Sequence, residues 1–150
     1  NKGKVPLVGS GDNLRSMSNT ENLSYGLILA YLKEEANGNS YWIADKRPYS
    51  QLEIINTVRS VLLKEFSIES INKNIKLPGI FSDIAYITDM IIQKTGFYNS
   101  KIHVLSELSK NIFCSIKKTE DDLGYNPKID LKIGLKRNFD WMKFENKLKF

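Results

Sequence analysis

The sequence predicts a helix-rich α/β fold in one domain, and three observations predict it. Two short apolar runs, residues 4–8 and 41–44, are bounded by turn residues in the manner of strands. Between and after them, apolar residues recur at helical spacing behind capping residues. The chain of 150 residues is 41% hydrophobic and 26% charged, the composition of a single soluble domain with its own core.

Each element follows in order. Residues 4–8 form a β-branched, apolar run that ends at Gly9, where a strand would enter a turn. After the loop, Ser18 and Glu21 make an S-x-x-E capping box, and Leu23, Leu27, Ala30 and Tyr31 continue at helical spacing to a left-handed stop at Gly38. Tyr41-Trp42-Ile43-Ala44 lacks alternation, which predicts a strand covered on both faces. A second box, Ser50 with Glu53, opens a helix to about Glu65 that turns Ile54, Ile55, Val58, Val61 and Leu62 to one side.

Residues 66–76 read as a connection, with a short strand at Ile75-Lys76-Leu77 before Pro78. Residues 80–94 then predict a helix that buries Ile84, Ile87 and Ile91 and stops at Gly96. Further helices are expected over 104–113 and 116–123, the latter ended by Gly124. A final one, capped by Asp130, carries the apolar stripe Leu131, Leu135, Phe139 and Met142, and residues 143–150 read as its fraying end.

Several classes of function are excluded or disfavoured by composition. The longest apolar runs, such as Leu27-Ile28-Leu29-Ala30, fall far short of the ~20 residues that span a bilayer. One cysteine, Cys114, allows no internal disulfide and no Cys/His zinc set; it reads as a packed thiol in a reducing cytoplasm. The net charge of +5 is spread among acids and reads as a basic solvated surface rather than a nucleic-acid footprint. The lone His103 has no catalytic partner near it in sequence and reads as a loop or helix-start residue. The opening residues, Asn1-Lys2-Gly3-Lys4, carry neither Met nor an apolar signal region, from which a fragment, a processed chain or an expression product is expected.

The loop "GSGDNLRSM", residues 9–17, has two glycines but Leu14 where a dinucleotide fingerprint needs its third, and no Gly-Lys-Ser/Thr follows. Arg15 is the stronger anion candidate. Its planar fork can meet two oxygens at once just before a helix start, while the alternative is an exposed arginine or one paired with Asp12. Arg15 and its loop neighbour Asn13 are therefore the predicted substrate-binding residues; no catalytic, cofactor-binding or metal-binding residue is predicted.

Taken together, "GSGDNLRSM", "NTENLSYGLILA", "YWIAD", "RPYS" and "LGYNPKIDLKIGLKRNFDW" resemble the C-terminal half of the NAD-dependent epimerase/dehydratase family, the extended short-chain dehydrogenases. The resemblance covers most of residues 3–141 and is diffuse over 66–115. It implies a substrate-binding lobe joined to the last strand, "YWIA", and helices of a Rossmann-type parallel sheet, with residues 1–150 forming one part of a larger fold. It implies an oxidoreductase or isomerase whose parent protein uses NAD or NADP, with no cofactor held by these residues alone, acting on a nucleotide sugar or a related small molecule.

The family's Tyr-x-x-x-Lys pair is missing: no tyrosine here has a lysine four residues on. By the same resemblance Arg15 takes the place of the arginine that contacts a substrate diphosphate, and Asn22 that of a structural Asp or Asn at the next helix. The stretch "CSIKKTEDDLGYNP" is similar to the family's ending, with Lys118 in its lysine position and Ile116 and Thr119 departing from it. Nucleotide-sugar members supply a second arginine from the later lobe, yet no arginine lies between Phe66 and Lys136, which leaves Lys101 or His103 to replace it. Two other readings stay open: a free-standing basic module for nucleic acid or an acidic protein, which a salt-sensitive gel shift would reveal, and a structural interaction domain with an exposed apolar edge at Trp42-Ile43, or a homodimer that hides that edge.

Overall fold

Two small two-stranded sheets and six α-helices make up the fold in the computed structural model, which describes residues 5–70, 74–145 and 147. Lys4, residues 71–73 within the predicted connection, and residues 146 and 148–150 of the predicted fraying end lie outside the described residues. Strand β1 (Val5–Val8) pairs in parallel with β4 (Asn74–Leu77), from Val5 opposite Asn74 to Val8 opposite Leu77. Both were legible as short runs stopped by Gly9 and Pro78. Gly9 adopts a φ of 68° and donates its N–H to the Leu77 carbonyl, closing the pair at the turn. Gly11 has a φ of 84° and lies so near Leu7 that a Cβ would meet its Cδ1 at 2.7 Å, so only glycine fits this bend.

The loop then forms β2 (Leu14–Arg15), antiparallel to β3 (Tyr49–Ser50). Arg15 also bridges in parallel to Ile112. Helix α1 (Thr20–Leu32) begins behind Asn19, whose side chain accepts the Glu21 N–H. The predicted Ser18–Glu21 box is therefore displaced by one residue. Ser18 donates instead to the Asn19 carbonyl, because Asn19 itself has the extended backbone a cap requires. A 3-10 turn over Glu34–Ala36 follows α1, so Gly38, at a φ of 72°, ends that turn rather than α1.

Residues 41–44 pair with no strand among the described residues, and the resemblance places the other strands of their sheet outside this chain. Side chains occupy the segment's carbonyls: Thr119 Oγ1 donates to the Trp42 carbonyl at 2.7 Å and the Tyr125 hydroxyl to the Ala44 carbonyl at 3.0 Å. Trp42 is also exposed, which removes the expectation that both faces are covered. Ala44, Ile116 and Tyr125 form a core cluster, with Leu29, Ile43 and Cys114 packed against it. Cys114 is thus the packed thiol its context suggested.

Helix α2 (Gln51–Phe66) is capped by Ser50, which accepts the Glu53 N–H at 3.0 Å, while the Glu53 carboxylate turns to Arg47 rather than completing the box. Ile55 and Val61 are buried on the predicted side, and Phe66 meets Phe139 edge-on at 5.9 Å. Helix α3 (Ile80–Lys94) has the predicted bounds but a different inner face. Ser82, Ala85 and Asp89 are buried, whereas Ile84, Ile87 and Ile91 are each more than half exposed. The reason is a close pairing with α4 (Ser100–Glu107): Ser82 Oγ donates within reach of the Leu105 and Ser106 carbonyls, both 3.1 Å away, and only small side chains allow that approach.

Helix α4 starts four residues before the predicted 104–113 and ends at Glu107, since Asn99 caps it by accepting the Lys101 and Ile102 N–H groups. Helices α5 (Lys117–Leu123) and α6 (Leu131–Phe144) match their predicted spans, with Gly124 at a φ of 67° and Asp130 accepting the Ile133 N–H at 2.8 Å. No helix among the described residues is long and apolar enough to cross a membrane.

Candidate functional site: the Arg15 loop and the end of α4

The 9–17 loop is stitched to the chain around 107–114 by both backbone and side chains. The Ile112 N–H donates to the Leu14 carbonyl at 2.9 Å and the Ser16 N–H to the Ile112 carbonyl at 3.1 Å. Leu14 N–H donates to Asn111 Oδ1 at 2.7 Å, and Cys114 N–H to Ser16 Oγ at 3.1 Å. Asn13 donates its amide to the Leu108 carbonyl at 2.8 Å and lies 3.5 Å from that of Lys110. Arg15 Nη2 donates to the Glu107 carbonyl at 2.6 Å. The two predicted site residues therefore meet at the C-terminal end of α4, where unpaired carbonyls and the negative end of the helix dipole attract donors.

Arg15 is half-buried, and among the described residues no carboxylate faces it; the alternative pairing with Asp12 does not form. Its Nη2 is fixed on α4, and the other N–H groups of the guanidinium meet no partner among the described residues. An arginine held in this way presents a directed positive charge, the chemistry that receives a phosphate or carboxylate. Asn13, by contrast, uses its amide to tie the loop to α4.

His103 is drawn into the same neighbourhood by contacts that lie far apart in sequence. Its Nδ1 stands 2.8 Å from Asp89 Oδ2 on α3, and its Nε2 stands 3.5 Å from Glu107 Oε1, one turn along α4. The Tyr98 ring lies against it at 5.5 Å. Hydrogen bonding to His103 holds the Asp89 carboxyl below the usual range, and the same bond to Asp89, with the Glu107 charge, raises the imidazole. Lys101, the other residue offered in place of a second arginine, sits exposed in the first turn of α4. A partner fourteen residues away on another helix leaves no local pattern; the small and polar face Ser82, Ala85, Asp89 was the available signal that α3 packs at close range there.

Behind the loop lies a buried polar node. Asn22, 2% exposed, donates to Asp45 Oδ1 at 2.9 Å and to the Ile129 carbonyl at 2.7 Å, and accepts the Lys128 and Ile129 N–H groups at 3.2 Å. Tyr49 donates its hydroxyl to Asp45 Oδ2 at 3.2 Å and accepts the Leu131 N–H at 3.2 Å. The Asp45 N–H donates to the Met17 carbonyl at 2.7 Å. Burial pushes the Asp45 carboxyl up, against the hydrogen bonds from Asn22 and Tyr49 that favour its charge. Burial also raises the Tyr125 hydroxyl, to about 12. The role of Asn22 is thus architectural.

A cavity of about 550 Å³ opens beside this node, between the start of α1 and one face of α6. Met17, Glu21, Asp45, Leu131, Arg137 and Trp141 are among its walls, and the loop reaches it immediately after Ser16. Arg15 does not line it. Among the described residues no group of three or more His, Cys, Asp or Glu side chains is placed to hold a metal ion.

No family model matches the chain. It is 45% identical over 140 residues to y4nL, an uncharacterized protein of Sinorhizobium fredii; the match takes in 93% of this chain and 39% of that protein. It is 28% identical over 148 residues to the 3beta-hydroxysteroid-dehydrogenase/decarboxylase isoform 1 of Arabidopsis thaliana, covering 89% of this chain and 32% of that one. Among solved structures, UDP-glucuronic acid 4-epimerase from Bacillus cereus, in complex with UDP-glucuronic acid and NAD, superposes with a TM-score of 0.58 at 17% identity. That alignment covers 95% of this chain and 36% of the epimerase. RMD from Pseudomonas aeruginosa, complexed with NADPH, superposes with a TM-score of 0.60 at 11% identity, over 99% of this chain and 38% of that one. The chain spans less than two-fifths of the length of each of these proteins.

Proposed function

The chain carries the fold of the C-terminal portion of the NAD-dependent epimerases and dehydratases, and on that premise we propose that it is the substrate-side part of an NAD(P)-dependent epimerase, dehydratase or reductase. Its substrate is a nucleotide sugar or a related small molecule with an anionic group. The observation that carries this reading is Arg15: a half-buried guanidinium, fixed by the Glu107 carbonyl, with no carboxylate against it among the described residues. Such a charge is most stable with an anion beside it.

The division of labour follows from what the residues can do. These 150 residues contain neither a complete dinucleotide fingerprint nor a Tyr-x-x-x-Lys pair, so cofactor binding and proton transfer belong to the remainder of the whole protein. The cofactor, NAD or NADP, supplies hydride chemistry there. Arg15 orients the substrate from this side, and the Asn13 tether keeps the loop in place against α4.

The test uses the whole protein, with thermal stability followed as NAD, NADP and a panel of UDP-sugars are added. A nicotinamide nucleotide and at least one UDP-sugar should raise Tm. Arg15→Ala should weaken the UDP-sugar effect by about tenfold to a hundredfold in affinity, the value of a charged hydrogen bond, and leave the Tm of the free protein nearly unchanged. Equal UDP-sugar affinity in the variant would sink the role of Arg15. A steroid that stabilises the protein regardless of Arg15 would instead favour a sterol substrate, the direction to which the name of the Arabidopsis relative points.

A further inference from the structure

We propose that the outer face of α3 is the contact surface for a second copy of this chain, docked antiparallel about a two-fold axis. Ile80, Ile84, Ile87 and Ile91 follow one another at spacings of four, three and four residues, which brings them within about 60° of the helix circumference. All four are more than half exposed, and they point away from Ser82, Ala85 and Asp89, the buried face that meets α4. This is the seam spacing of paired helices, with isoleucine at four consecutive seam positions. Phe81 and Met90, each more than two-fifths exposed, widen the stripe to roughly a few hundred Å², a patch of the size that marks an interaction site.

The charges bordering the stripe select its occupant. Asp83 in the first turn and Lys94 at the last residue of α3 lie on the same flank, both exposed, and neither has an ion-pair partner among the described residues. A two-fold axis perpendicular to two antiparallel helices sets each flank against the same flank of its partner, so Asp83 of one copy faces Lys94 of the other, twice. With Ile84 opposite Ile87 of the second copy, the two charges stand about 9 Å apart along the axis. Side chains lean toward the N-terminus of their own helix, which here carries Asp83 and the long lysine toward each other.

Other occupants fit less well. A parallel pairing sets this flank against Phe81 and Thr88 and leaves both charges unmatched. An anionic lipid surface would have Asp83 against it, and the flank as a whole carries no net charge to draw the stripe there. The remainder of the whole protein, on the reading of Arg15 given above, has to reach the Arg15 loop. That loop stands at the end of α4, while the stripe is on the side of α3 turned from α4.

The test follows the whole protein by sedimentation equilibrium, with self-association expected at a Kd on the order of micromolar for so small a contact. Ile84→Gln with Ile87→Gln should halve the sedimenting mass and leave the Tm measured at dilution, where the copies separate, nearly unchanged. Asp83→Lys alone and Lys94→Asp alone should each weaken self-association about tenfold at low salt, because each turns two attractive contacts into two repulsive ones. The protein carrying both reversals should associate as the unaltered protein does, and an equimolar mixture of the two single variants should form mixed pairs. Within one helix residues 83 and 94 are about 16 Å apart, so contact inside a single chain does not produce that recovery.

A mass that the glutamine pair leaves unchanged would overturn the proposal. If those substitutions instead lower Tm at every concentration with no change of mass, another part of the same protein covers the stripe and the second copy is ruled out. If they leave the mass alone but abolish flotation with vesicles of phosphatidylcholine and phosphatidylserine, a lipid surface is the occupant. Association lost in the glutamine pair yet indifferent to the charge reversals would overturn the antiparallel pairing.

Discussion

Asn22 concentrates more of the architecture than any other single side chain described. Its one amide satisfies Asp45, two backbone N–H groups and a carbonyl, joining α1 to the turn before α6. Asn22→Ala strands a buried carboxylate and several backbone groups together, so a loss of about 2–4 kcal/mol is expected, read as a lower urea midpoint at an unchanged slope. The resemblance stated in the sequence reading marked this position as structural. It could not reveal Asp45 or Tyr49 as its partners, because nothing local links residues 22, 45, 49 and 131. Arg15 presents the complementary case: the residue stood out in the loop sequence, yet the Glu107 carbonyl that holds it did not.

At the level of elements, Gly26 sets how α1 meets the segment that follows it. A Cβ there would lie 2.6 Å from Ile43 Cδ1 and 2.9 Å from its Cγ2, and the branched Ile43 side chain has little room to turn. Gly26→Ala gains up to about 1 kcal/mol of helix propensity but meets an overpacking cost of roughly 1–3 kcal/mol. Destabilisation is the expected outcome, measured as a drop in Tm; a rise would mean that Ile43 repacks freely. Helices α2, α3 and α6 were legible in the sequence to within a residue or so because their ends carry strong local chemistry: Ser50 and Asp130 as caps, Pro78 and Gly96 as boundaries. What a helix packs against is a different matter. In α3 the isoleucine stripe drew attention to the wrong face, since close contact with α4 selects small side chains over large ones. The 41–44 run has no strand partner among the described residues, and Thr119 and Tyr125 reach two of its carbonyls from far along the chain, contacts that leave no local signal.

Across the whole molecule, the walls of the cavity between α1 and α6 are fastened twice, and the two fastenings differ in strength. At the inner end, the Leu131 N–H meets Tyr49, which meets Asp45 and through it Asn22, all buried. At the outer end, the exposed Arg137 pairs with Glu21 across the opening. An exposed ion pair contributes about 0–1 kcal/mol and weakens with salt, whereas releasing the inner node would leave buried groups unmatched at several times that cost. Amide exchange should accordingly quicken with added salt along the last turns of α6, near Arg137 and Trp141, and stay slow at Leu131; uniform exchange along the helix would contradict it. Helix α6 is thus held at its start by the peptide N–H of Leu131 and farther along by Phe139 against Phe66, so that of the fastenings beside the cavity the Arg137–Glu21 pair is the one that answers to ionic strength.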